Sequence, residues 1–280
     1  VKILVTGAAG QLGRALVPAL AEHEVVALGS RELDVGDLEA VRGALQRLRP
    51  ELVANCAAWN QVDGAESDPY AAFRTNAVGP RNLALVTRDL GAALLHVSSD
   101  YVFDGRAGRP YCEYDAPNPL SEYGRSKLAG EEAVRTFNSR HYVVRTAWLY
   151  AAWGRNFALT MREQAAKGEV RVVADQFGSP TYVPPLARAL AELVETEAWG
   201  TYHLAAGGQA SWFDLCRALY ATLGIDAVVH PVATEDFPRP APRPRFAPLV
   251  TVQSPRILLP PWEEGVAELA RDLRAGGQEG

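Results

Sequence analysis

The chain has 280 residues, 48% of them hydrophobic and 22% charged, enough apolar side chains for one large domain or for a large and a small one. Its formal charge of −5 excludes a general affinity for nucleic acid, which rests on neutralising phosphates with a basic surface. No apolar run approaches the roughly 20 residues needed to span a bilayer. The opening run Val1–Thr6 has the pattern of a strand rather than of a leader peptide. A cytoplasmic protein without membrane contact is expected.

Short apolar runs alternate with helical patterns through the first half. Lys2–Thr6, Glu24–Leu28, Leu52–Ala58, Leu94–Ser99 and Tyr142–Thr146 have the pattern of strands. Gln11–Glu22 and Leu38–Leu48 have that of helices, the second with Asp37 as its N-cap. Strands separated by such helices require parallel crossovers. The expected fold class is therefore α/β, a doubly wound parallel sheet of the Rossmann type whose ligands lie beyond the carboxyl ends of the strands.

After about residue 150 the alternation weakens, and Gln176–Pro185 and Phe237–Pro248 are rich in turn residues. Helices are predicted over Asn156–Lys167, Pro184–Glu195 and Trp212–Leu223, the last capped by Ser211. Residues 1–150 thus form a dinucleotide-binding domain that carries the catalytic residues. Residues 151–280 form mainly a smaller α/β substrate lobe, with the chain free to cross back. The Pro- and Arg-rich segment Pro238–Pro248 is expected as a stiff loop over the small lobe.

Gly7, Gly10 and Gly13 stand in a GxxGxxG run that follows the first strand and opens the first helix, the context in which this spacing has a mechanical meaning. Gly7 permits the tight turn, Gly10 lets the backbone approach a pyrophosphate, and Gly13 allows close packing of helix on strand. The N–H groups at the helix start, around Gln11 and Leu12, then face the diphosphate of a dinucleotide. At the end of the second strand a carboxylate would grip the ribose 2′-hydroxyl of NAD, whereas an Arg suits a 2′-phosphate. Ser30 and Arg31 stand there and favour NADPH, with NADH as the alternative. Asp34 and Val35 are expected beside the adenine.

The catalytic candidates are Ser99, at the end of a predicted strand, and Tyr123 and Lys127. Residues at i and i+4 share a helix face, so the Tyr and the Lys can reach one pocket. Ketone reduction needs a hydride donor on one face of the carbonyl and a proton for its oxygen. A phenol is a weak acid, with an unperturbed pKa of about 10, and a neighbouring ammonium is expected to lower it. The Ser99 hydroxyl can hydrogen-bond the same oxygen. Cys56, Cys112 and Cys216 lie far apart without metal-ligand spacing and are expected as reduced thiols.

These residues resemble the extended short-chain dehydrogenase/reductase family and, within it, the dTDP-4-dehydrorhamnose reductases. The narrower likeness is carried by Val97–Gly105, Tyr123–Glu131, Arg145–Tyr150, Asp175–Thr181 and Tyr202–Leu204 with Gly207 and Gly208. It runs from the first strand to about Leu249. The resemblance implies reduction of the C4 ketone of a nucleotide sugar, dTDP-4-dehydro-L-rhamnose, to dTDP-L-rhamnose. It implies catalytic roles for Ser99, Tyr123 and Lys127, with Ser where the family usually has Thr. It also implies cofactor contacts from Ala57, Ala58 and Trp59, and sugar contacts from Tyr101, Trp148 and Asn156.

Two departures qualify the match. Some relatives dimerise through acidic residues that bind magnesium, and this chain has Ala15 and Pro184 there. No metal of that type is expected, and monomer and homodimer both stay open. A late Arg-Pro-x-x-Ser-x-Leu motif has Ala247 in place of its Ser. Arg243 in this motif is expected to hold the substrate diphosphate on a loop stiffened by Pro242 and Pro244, with Arg239 and Arg245 as alternatives. A dehydratase or epimerase on the same scaffold is the rival enzyme, but dehydratases carry Asp-Glu after the catalytic hydroxyl, and here Asp100 is followed by Tyr101. A non-catalytic, NADP-binding regulatory subunit would carry a broken Ser/Tyr/Lys set.

Overall fold

The computed structural model describes residues 1–276. From the N-terminus the chain forms β1 (Lys2–Thr6), α1 (Gln11–Ala19), β2 (Glu24–Leu28), α2 (Leu38–Leu48) and β3 (Leu52–Asn55). Two short helices, α3 (Val62–Ser67) and α4 (Pro69–Phe73), lead through a π-turn at Arg74–Val78 into α5 (Gly79–Leu90). Then come β4 (Ala93–Ser99), α6 (Glu122–Phe137) and β5 (His141–Thr146).

Beyond these lie β6 (Leu149–Tyr150), α7 (Phe157–Gln164), β7 (Glu169–Val173), β8 (Phe177–Gly178), β9 (Thr181–Tyr182) and α8 (Val183–Val194). The chain ends through β10 (Gly200–His203), β11 (Ala210–Ser211), α9 (Trp212–Leu223), β12 (Val228–Val232) and α10 (Trp262–Gly276). Asp37 caps α2, accepting from the backbone of Glu39 and Ala40. Ser211 and Asp214 form a reciprocal capping box on α9.

Six strands form one parallel sheet in the order β10-β5-β4-β3-β1-β2. Alternate side chains of β1 leave it on opposite faces. Ile3 and Val5 pack against α1 and α8 through Leu16, Leu186 and Leu190. Leu4 packs on the other face against Val41, Leu45 and Leu83 of α2 and α5. Burial on both faces explains why the central strands are continuous apolar runs. A separate core, including Val172, Leu215, Leu219 and Leu269, holds α9 and α10 on the small parallel pair β7 and β12.

Beyond residue 150 the chain crosses back to the sheet lobe more than once, with Ile257 and Leu259 also packed in its core. The segment from α8 to β10 returns to the sheet lobe, where β10 pairs with β5 from Gly200↔Tyr142 to His203↔Arg145. Without it the β5 edge would present unpaired backbone groups. Ala247 is fully packed beside Phe103 and Tyr111, so the missing Ser of the late motif is a core position here.

Candidate active site

The turn after β1 is built by backbone proximity. Gly7 has φ +65, and a Cβ there would lie 2.5 Å from Ala57 N. A Cβ on Gly13 would lie 2.5 Å from Gly7 O. Any side chain at either position breaks the crossover. Gly10 is different: it is exposed, and an added Cβ would meet only Gly7 O, at 3.2 Å. It is the N-cap of α1, and no side chain caps the helix. An uncapped, open helix start is the donor set that a dinucleotide diphosphate fits. The Gln11 amide is engaged by the segment before α7, donating to Arg155 O at 3.3 Å and accepting from Asn156 Nδ2 at 3.1 Å.

Past β2, Ser30 and Arg31 are exposed at the rim of the same opening. A carboxylate also reaches this turn, which the order of residues did not reveal. Glu32 bends back so that its Oε2 accepts from Gly29 N at 2.6 Å. Asp34 is engaged by the Arg74 guanidinium, which holds its carboxyl below the usual range. Val35 is buried in the core against Gly79. The Val35 side chain thus faces inward and fills the space a glycine leaves.

Ala57, Ala58 and Trp59 follow β3 along the same edge. Asn76, fully buried in the π-turn, fixes this loop: its Oδ1 accepts from Trp59 N at 2.8 Å, and its Nδ2 donates to Trp59 O at 2.9 Å. The same amide donates to Ser126 Oγ at 3.0 Å, tying the cofactor edge to α6. Sequence reasoning missed Asn76. Its signal is only a polar residue inside a helical run.

Ser99 ends β4, and Tyr123 and Lys127 lie one turn apart on α6, whose N-terminus Ser121 caps. Gly124 lets that helix close on the turn after β4, for a Cβ there would lie 2.2 Å from Tyr101 O. The Tyr101 ring then stands edge-on to Tyr123, centroids 5.4 Å apart. Burial dominates the Tyr123 phenol and pushes it up to about 12, against the opposing influence of the Ser99 hydroxyl. Lys127 is 2% exposed, and its Nζ donates to Val97 O at 2.6 Å. Burial lowers the ammonium to about 8, opposed by the charge of Glu131 one turn further on. The Tyr123 phenol is thus set by burial, Ser99 and Asp100, and the expected lowering by Lys127 does not reach it. Glu131 itself is held by Arg145, at 2.8 Å, and by Ser98.

On the substrate side, Trp148 adopts φ +48, a left-handed backbone that non-glycine residues rarely hold. Its indole stacks on Trp212 at 3.5 Å with rings 2° from parallel. Asn156 does not offer a free amide: its Oδ1 caps α7 through Leu159 N, and its Nδ2 donates to Ala151 O, Trp153 O and Gln11 Oε1. These bonds give Asn156 a structural role at the start of α7. Arg243 lies 16% exposed at the cleft, paired with Asp63. A cavity of about 550 Å³ opens between Tyr101 and the small lobe, with Phe157, Trp212 and Phe237 on its wall. Arg155, Arg171, Arg239 and Arg243 also line it, which suits a planar ring attached to a polyanion. Cys56 is a free thiol whose pKa burial pushes up to about 12, so it is no nucleophile here.

Reduction of a carbonyl needs a dinucleotide on one side of the reacting carbon and a proton source on the other. The crossover beyond β1 and the head of α6 supply both across one cleft, which is the arrangement of the nicotinamide-dependent short-chain dehydrogenases and reductases. Within that class the chain belongs to the family described as RmlD substrate binding domain, whose model matches residues 1–275. It is 46% identical to a dTDP-4-dehydrorhamnose reductase from Streptomyces griseus, covering 88% of this chain and 84% of the relative. A solved dTDP-4-dehydrorhamnose reductase from Clostridium acetobutylicum superposes with a TM-score of 0.96 at 39% identity, covering 98% of this chain and 100% of the other. The Bacillus anthracis enzyme, solved in complex with NADP, gives 0.94 at 36% identity over 97% and 99% of the two chains.

Proposed function

We propose that the protein reduces the C4 ketone of dTDP-4-dehydro-L-rhamnose to dTDP-L-rhamnose with NADPH, NADH serving as the alternative donor. The observation that carries this reading is an intact Ser99/Tyr123/Lys127 set beside an arginine-lined cavity with aromatic walls. Residues 1–150 hold the dinucleotide and the catalytic groups, and residues 151–280 chiefly hold the nucleotide sugar. Among the described residues no helix is long and apolar enough to cross a membrane. The enzyme works in the cytoplasm, as a monomer or homodimer.

NADPH, when bound, supplies the hydride for C4 of the sugar. The α1 N-terminus and the Gly7–Gly13 turn hold its diphosphate. Tyr123 gives its proton to the ketone oxygen, and Ser99 hydrogen-bonds that oxygen as it gains charge. Lys127 orients the cofactor ribose and favours the phenolate left on Tyr123. Dehydration is disfavoured because Tyr101 stands where a second carboxylate would be needed.

The test is NADPH consumption with dTDP-4-dehydro-L-rhamnose, made in place from its precursor, with the product analysed. Stoichiometric formation of dTDP-L-rhamnose is expected. Absence of consumption, or loss of water from a dTDP-hexose without it, rejects the reading.

A further inference from the structure

Asp100 follows Ser99 and is 1% exposed. Its Oδ1 lies 2.9 Å from Ser99 Oγ, while its Oδ2 is buried without a hydrogen-bond partner. Ser99 Oγ also accepts from Tyr101 N at 3.2 Å. A hydroxyl has a single proton to give. If Asp100 is a carboxylate, that proton goes to Oδ1, and Ser99 has none for a substrate. If Asp100 carries a proton on Oδ1, it donates to Ser99, and the Ser99 proton turns outward beside the Tyr123 hydroxyl.

We propose that Asp100 is a positioning residue for the reduction: its proton sets the direction of the Ser99 hydroxyl, and only the protonated carboxyl leaves Ser99 free to donate to the ketone oxygen. This rests on the reading of Ser99 and Tyr123 given above. The groups acting on Asp100 are Ser99, the backbone N–H groups of Asp100 and Tyr101, and the Trp148 indole, all of which favour the charged form. Tyr101 on its own turn and Tyr123 on α6 face its charge. Burial outweighs them and lifts the carboxyl to about 7. Arg243, the nearest cation of the strap, is committed to Asp63 and Tyr101. The protonated form therefore prevails below about pH 7 and is lost above it, and the rate should follow. Neither proton is consumed in this arrangement, since the proton added to the sugar comes from Tyr123.

Two measurements test the proposal. In single-turnover hydride transfer at saturating NADPH and nucleotide sugar, the wild-type rate should fall about tenfold one unit above the Asp100 pKa. In Asp100→Asn the amide donates to Ser99 at every pH, so this break should disappear. It should also disappear in Ser99→Ala, where no hydroxyl remains to be turned. A break that persists in either variant, or a wild-type rate flat through this range, overturns the proposal. The second measurement is the infrared titration of the Asp100 carboxyl in the substrate-free protein, assigned by difference against Asp100→Asn. It should titrate near 7, and higher in Ser99→Ala, which loses the bond favouring the charged form. A carboxyl fully ionised at pH 5, or unmoved by Ser99→Ala, overturns the proposal without reference to the sugar. A normal titration with no turnover rejects the assigned substrate instead.

Discussion

Asp63 and Arg243 close across the cleft through a two-pronged pair, Nη1 to Oδ1 at 2.8 Å and Nη2 to Oδ2 at 3.0 Å. Asp63 belongs to α3, just past the cofactor edge, and Arg243 to the Pro-rich strap. Ala241 N donates to the same carboxylate, and Arg239 lies 3.7 Å from it. Arg243 thus reaches the cavity with its charge already matched, and a diphosphate must compete with Asp63 for it. Arg243→Ala is expected to raise the KM for the nucleotide sugar about 10-fold or more, from the 1.5–3 kcal/mol of a charged hydrogen bond. NADPH affinity should hardly move. Asp63→Asn should free the strap and speed tryptic cleavage after Arg245, the strap arginine not followed by proline. Unchanged KM in the first variant rejects Arg243 as the anchor, and unchanged cleavage in the second rejects Asp63 as the tether.

The strands and helices of the sheet lobe were legible because their hydrophobic periods are long and the glycines mark the crossover. Tyr123 and Lys127 were legible because their spacing fixes a shared helix face. The edge strand β10 was not, since Gly-Thr-Tyr-His is short and its partner β5 lies far back in the sequence. Nor could the pattern show β7 and β12, whose pairing spans two helices, α8 and α9, and the short strands between them. At the site, Asp63, Asn76, Glu32 and Asp100 acquire their roles only from tertiary contacts. Asn156, which the family resemblance assigns to the sugar, also caps α7 through its Oδ1, a second role that only the structure shows.

Tyr123→Phe should keep NADPH affinity and lose most turnover, because the ring and its packing on Tyr101 remain while the proton donor goes. Stopped-flow hydride transfer with a parallel NADPH titration separates the two. Retained turnover would remove Tyr123 as the acid.

The turn after β2 holds opposing signals for the cofactor. Arg31 offers a cation for a 2′-phosphate, whereas Glu32, folded back on Gly29 N, places a carboxylate nearby. Arg31→Ala is expected to weaken NADPH more than NADH, and Glu32→Gln to strengthen NADPH relative to NADH by removing the repulsion. Comparison of kcat/KM for the two cofactors checks both. Equal changes for NADPH and NADH would show that this turn does not read the 2′ position.

Lys127 gives cofactor binding its own pH dependence. Its free-enzyme pKa is lowered to about 8 by burial, so the ammonium is present below that value and lost above it. The affinity of the free enzyme for NADPH should weaken as pH rises through about 8, and Lys127→Met should be weak and flat over the same range. Fluorescence titration of NADPH across pH measures this, and a wild-type affinity constant from pH 7 to 9 would remove Lys127 from the cofactor contact.

Gly178 sets the position of Trp148, whose indole favours the charged form of the Asp100 carboxyl. A Cβ on Gly178 would stand 2.4 Å from Trp148 Cε2 and 2.7 Å from its Nε1. The indole cannot slide away freely, because its other neighbour, Trp212, is stacked on it at 3.5 Å. It also sits on a backbone at φ +48, so that rotation of the main chain is already constrained. Gly178→Ala should therefore cost about 1–3 kcal/mol by overpacking, read in urea unfolding. Turnover should fall with it, since moving the indole alters the surroundings of Asp100 and Ser99, while NADPH affinity stays near wild type because the glycine turn lies at the other lobe. Wild-type stability and turnover together would show that the Trp148–Trp212 stack moves as a unit without cost, and that its position does not govern the site.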